Sequence, residues 1–114
     1  MNCGVACIME YLRINNLKNE VLVNQLKDRV NKSGISVGDL VMILKNNGIS
    51  CDAYFKRKDH NYPFIAYYWY QHFVLVLADG RYVVVYDPLK GVIKLSKRRF
   101  KCKYSGISID FVLK

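Results

Sequence analysis

Acidic side chains are scarce in this 114-residue sequence, nine against 18 lysines and arginines, which leaves a formal net charge of +9. Prolines number two and histidines two. No apolar run approaches the roughly 20 residues that a bilayer-spanning helix needs, and the opening Met1-Asn2-Cys3-Gly4 lacks the basic-then-apolar order of a secretory signal. No nucleotide-binding motif, internal repeat, low-complexity tract or linker is present. As given, the chain neither spans nor leaves a membrane, and it does not itself encode transport. Its four cysteines, Cys3, Cys7, Cys51 and Cys102, form neither a dense disulfide framework nor paired CxxC zinc knuckles, so a reduced, cytosolic setting is the simpler reading.

What is present is the material of a packed core. Apolar and aromatic residues make up 52% of the chain and charged ones 24%, a balance that disordered chains do not reach. The length suits one domain over residues 1–114. The charge is uneven: residues 1–50 carry six basic and four acidic side chains, residues 51–114 twelve and five, densest at Lys97-Arg98-Arg99-Phe100-Lys101-Cys102-Lys103. Such a field favours acidic partners, whether nucleic acid, anionic lipid or peptide, although a solvated surface would look the same. With no recognition motif for nucleic acid, no such partner is expected.

Val5, Ile8, Met9 and Leu12 recur at helical spacing from Gly4 to about Arg13, with Cys3 at the helix start and Asn15-Asn16 as the stop. Leu22, Val23, Leu26 and Val30 continue the period through a second helix, ended by Asn31-Lys32-Ser33-Gly34. A third is capped by Ser36, with Asp39 three residues on, and closes at Asn46-Asn47-Gly48. Beyond it the composition turns to strands, expected at 49–55, 64–70, 73–77, 82–86, 92–95 and 107–113, the third and fourth forming a hairpin across Asp79-Gly80. Helices followed by a mostly antiparallel sheet predict an α+β domain.

A thiol in the first turn of a helix meets the positive end of the helix dipole and unpaired amides, which favour the thiolate. Cys3 is so placed. A cysteine nucleophile also needs a base and a group that orients the base. His72 opens one strand of the hairpin and Asp87 closes the other, which makes them neighbours. Each has a plainer reading: a buried thiol, a histidine satisfied by a carbonyl, a turn signal before Pro88. Together they match what a catalytic triad requires. Cys3 and Cys7 share a helix face, but zinc takes three or four ligands and neither His60 nor His72 has a recognisable spacing to them, so no metal site is expected.

Asn2-Cys3-Gly4-Val5-Ala6-Cys7-Ile8 resembles the Asp-Cys-Gly-x-Ala-Cys-Leu signature of double-glycine peptidases, the papain-like domains of bacteriocin-exporting ABC transporters. The likeness continues in order through Gly34 to Leu40, Asn47-Gly48-Ile49, Pro63-Phe64-Ile65-Ala66, His72-Phe73-Val74-Leu75, Asp87-Pro88-Leu89-Lys90-Gly91 and Ser105-Gly106-Ile107. It implies a papain-like cysteine peptidase in which Cys3 is the nucleophile, His72 the general base and acid, and Asp87 the orienting group. The implied substrate is a bacteriocin or lantibiotic precursor, cut after Gly-Gly or Gly-Ala at the end of an often acidic, helical leader peptide. The implied partners are that leader and the transmembrane and nucleotide-binding domains of an ABC transporter, at the cytoplasmic face of a bacterial membrane; no metal or organic cofactor is implied. Tyr67, Tyr68, Trp69 and Tyr70 are candidates to line a narrow cleft, against the alternative that they pack in the core.

Two positions depart from the pattern. Asn2 stands where the family usually has Asp, and only Met1 and Asn2 precede Cys3, where the family carries an upstream glutamine that helps form the oxyanion hole. Losing one oxyanion donor costs about 10²–10³ in rate, so either reduced activity or an N-terminus that is incomplete as given is expected. The other reading is a non-catalytic peptidase-like domain that docks an export substrate without cutting it.

Overall fold

The computed structural model describes residues 2–31 and 34–112. Three helices come first: α1 (Cys3–Ile14), α2 (Glu20–Arg29) and α3 (Val37–Asn46). Each starts at a side-chain cap. The oxygens of Asn2, Asn19 and Ser36 accept from the amides of Gly4, Leu22 and Asp39, satisfying donors that a helix start leaves open. Gly48, at φ +81°, takes the left-handed conformation that ends α3.

Six strands follow: β1 (Cys51–Phe55), β2 (Phe64–Tyr68), β3 (His72–Asp79), β4 (Val83–Asp87), β5 (Gly91–Leu95) and β6 (Tyr104–Phe111). They form one antiparallel sheet in the order β1-β6-β2-β3-β4-β5. The α+β expectation holds. A fourth helix, α4 (Lys97–Lys103), lies between β5 and β6.

Alternation along the strands divides the core in two. Ile65, Phe73, Leu75, Ile109 and Phe111 face α1, α2 and α3, packing against Val5, Ile8, Leu22, Leu40 and Leu44. Phe64, Ala66, Tyr68, Val74, Val76 and Val85 form a second cluster, closed by Phe100 of α4.

Several boundaries differ from the sequence reading. β1 begins at Cys51 rather than Ile49. β2 ends at Tyr68, because Trp69 to Gln71 make the turn, with Gln71 at φ 60°. The last strand starts at Tyr104, earlier than expected, and Leu113 lies outside the described residues, as do Lys32 and Ser33 at the stop proposed for α2. The sequence reading has no helix at 97–103. There Ser96 caps by accepting from the Arg99 amide, and Phe100 alone is buried among five cations.

Candidate active site

Cys3 is the first residue of α1, held by the Asn2 cap, and its Sγ accepts from the Phe73 amide at 3.4 Å. A β-carbon on Gly4 would come within 2.8 Å of Ile35 Cγ2, so α1 can start this close to the chain leading into α3 only with glycine there. The neighbouring amide on Sγ belongs to the residue after His72. The thiol and the His72 side chain interact, each shifting the other's titration.

His72 and Asp87 are both buried, and His72 Nε2 lies 2.9 Å from Asp87 Oδ1. That contact leaves the other ring nitrogen, Nδ1, to face the thiol. Asp87 is fixed in turn: its Oδ1 also accepts from the Leu89 amide at 2.9 Å. The turn-forming and base-orienting readings of Asp87 are therefore compatible, since one carboxylate oxygen serves both. The chain of contacts runs Cys3, His72, Asp87, from the start of α1 to the facing ends of β3 and β4.

Electrostatics separate Cys3 from the other thiols. Burial alone would raise the Cys3 pKa, but the hydrogen bond from His72, the Phe73 and Gly4 amides and the imidazolium charge together hold it below its ordinary value of 9.0. His72 moves the opposite way, above its usual 6.5: the hydrogen bond to Cys3 raises it most, burial opposes, and Asp87 adds to the rise. Each partner thus favours the other's charged form. Cys7, one turn along and fully buried, is driven well above 9.0 by burial, with the charges of Cys3, Asp87 and Glu10 adding. Burial pushes Cys51 up to about 11. All four cysteines are free, with Cys102 exposed on α4. Among the described residues no three His, Cys, Asp or Glu side chains are grouped to hold a metal ion.

The four aromatic candidates separate. Tyr68 is only 1% exposed, with its ring against Phe100 and His72, so the expectation that it lines the cleft is corrected: on β2 it points into the core under α4. Tyr67 is half-buried against Phe73. Trp69 and Tyr70 sit in the turn and are 67% and 44% exposed. The sequence reading also missed a second His–Asp pair, His60 Nδ1 to Asp110 Oδ2 at 2.7 Å, with the Ser108 hydroxyl donating to Asp110 Oδ1. His60 sits in a loop 50 positions from Asp110, and no local pattern announces the contact.

No helix among the described residues is long and apolar enough to cross a membrane. No curated protein sequence matches the chain. Solved structures do. A double glycine motif protease from an AMS/PCAT transporter, crystallised with its leader peptide, superposes with a TM-score of 0.84 at 22% identity, covering 96% of this chain and 83% of that one. The peptidase domain of Streptococcus ComA, a bifunctional ABC transporter of a quorum-sensing pathway, gives 0.81 at 22%, covering 99% and 92%. The N-terminal peptidase C39-like domain of a Vibrio parahaemolyticus toxin secretion ATP-binding protein gives 0.83 at 11%, covering 100% and 98%. These likenesses establish the papain-like peptidase fold. The sequence model of the peptidase C39 family matches residues 1–112, and the chain belongs to that family of cysteine peptidases.

Proposed function

We propose that this domain is an active cysteine endopeptidase that removes the leader of a bacteriocin-type precursor after a Gly-Gly or Gly-Ala pair, working with an ABC transporter at the cytoplasmic face of a bacterial membrane. The observation that carries the reading is the Cys3–His72–Asp87 chain of contacts, with the thiol lowered and the imidazole raised. The leader-bound AMS/PCAT protease, alike in fold, supports the substrate class.

In this reading Cys3 Sγ, as thiolate, attacks the carbonyl carbon of the second small residue, and the carbonyl oxygen takes the negative charge. The Cys3 amide, at the first helical position, has no intrahelical acceptor and is a donor for that oxygen. His72 gives its proton to the leaving nitrogen as the C–N bond breaks, which frees the downstream peptide and leaves a thioester on Cys3. Water then attacks the thioester while His72 takes its proton; the C–S bond breaks and the leader departs with a free carboxylate. Asp87 keeps the ring turned and favours its protonated form.

The leader has a candidate dock on the same helix. Met9, Leu12, Leu17 and Val23 line a groove of about 580 Å³ between α1 and α2, with Arg13 and Lys27 at its edges. An amphipathic, acidic helix suits that mixture. Apolar anchors held there would align the scissile bond at Cys3, so remote contacts contribute to the rate.

The test is mass spectrometry of a leader fusion carrying a Gly-Gly junction. Cleavage at that junction, lost in Cys3→Ala with leader binding kept, is the expected result. Binding of the leader without cleavage by the wild-type chain would replace this proposal with the docking reading.

A further inference from the structure

Trp69 and Tyr70 are both exposed to solvent, and Trp69 is nonetheless anchored by two hydrogen bonds. The Trp69 amide donates to the Lys103 carbonyl at 3.0 Å, and its indole Nε1 donates to the Cys102 carbonyl at 3.0 Å. Gln71 completes the turn in a left-handed conformation without being glycine. Trp69 meets Tyr70 edge-on, with centroids 5.3 Å apart. Tyr70 lies nearly parallel to the His72 ring, 9° between planes at 6.0 Å. The Lys103 ammonium stands 5.9 Å from the Tyr70 centroid. Exposed Lys101 lies two residues away on α4, and neither lysine has a carboxylate partner among the described residues.

We propose that this aromatic and cationic shelf is the binding site for the first residues after the scissile bond, and that it favours carboxylate side chains there. The inference rests on the peptidase reading of Cys3 and His72. The acyl half of the substrate is bonded to Cys3, while the leaving nitrogen must reach His72 to collect its proton. The downstream chain therefore departs past His72, where Tyr70 and Trp69 offer flat faces to an extended backbone. Steps of 6.0 and 5.9 Å place the Lys103 ammonium within about 12 Å of the imidazole, a distance that three to four extended residues span. The shelf is separate from the α1–α2 groove, which would hold the leader upstream of the cut.

Three substrates test it, sharing one leader and Gly-Gly junction and differing only in the four residues that follow: Ser-Asp-Ser-Asp, Ser-Ser-Ser-Ser or Ser-Lys-Ser-Lys. At low salt kcat/KM for the acidic tail should exceed that for the basic tail by about 3- to 10-fold, the size expected of exposed charge pairs, and the ratio should shrink in high salt. Lys101→Gln with Lys103→Gln should bring the ratio close to 1. Lys58→Gln, which removes a charge elsewhere, should keep the ratio. Equal cleavage of all three tails, or a ratio that survives loss of both lysines, overturns the shelf and leaves the peptidase reading in place; no cleavage of any tail overturns both.

Discussion

The protein holds two His–Asp pairs of nearly equal length, the buried His72–Asp87 at 2.9 Å and the part-buried His60–Asp110 at 2.7 Å. They differ in what meets the rest of each pair. At His72 the free ring nitrogen faces a thiol at a helix start, where amides and the imidazolium favour negative charge. At His60 the ring lies flat on Phe64 at 3.8 Å, and the nearby Ser108 hydroxyl points at the aspartate rather than the histidine. A hydroxyl that donates to the carboxylate gains no base. Of the two, only the first pair has a thiol at its other ring nitrogen, which is what the proposed cysteine chemistry requires.

Breaking the first pair should therefore cost chemistry, and breaking the second should cost stability. The largest effect is expected from Cys3→Ala, which should abolish cleavage in a mass-spectrometric assay while leader binding persists. His72→Ala follows. Loss of the general base and acid should lower kcat by about 10²–10⁴ with circular dichroism unchanged. By contrast, Asp110→Asn should leave the wild-type rate within a few-fold and instead lower the denaturation midpoint, since weakening the hydrogen bonds of a largely buried polar group costs about 1–3 kcal/mol. If Asp110→Asn instead reduced turnover as much as His72→Ala without destabilising the fold, the division between the pairs would fail. The smallest effect on chemistry is expected from Cys7→Ala, one turn from the nucleophile. Its buried thiol packs in the core, so about 1 kcal/mol of stability should go while the rate holds.

The first pair was legible in the sequence and the second was not, for reasons that lie in the spacing. Cys3 stands at a helix start marked by Asn2 and the periodic Val5, Ile8 and Leu12; His72 and Asp87 flank a hairpin whose turn carries Asp79-Gly80. Local signals and one antiparallel pairing bring them together. His60 and Asp110 meet only because β6 crosses from the chain end into the middle of the sheet, between β1 and β2. The strand end at Tyr68 was obscured because Trp69-Tyr70-Gln71 contains none of the usual turn residues. Without that turn the parity of the aromatic run could not be read, so Tyr68 looked no different from Tyr70. In α4 a single apolar residue, Phe100, stands among Lys97, Arg98, Arg99, Lys101 and Lys103, too few turns for a helical period to show.

The account depends most on the Cys3–His72 partnership, and the pH dependence of thiol alkylation measures it directly. With iodoacetamide and peptide-resolved mass spectrometry, the Cys3 rate should rise with pH to a midpoint below 9.0, because the hydrogen bond and charge of His72 outweigh burial. In His72→Ala burial acts with less opposition, so the midpoint should move upward. Buried Cys7 and Cys51, both raised, should react far more slowly in either protein near neutral pH. An identical Cys3 midpoint with and without the imidazole would contradict the account, because the two side chains would then not be partners.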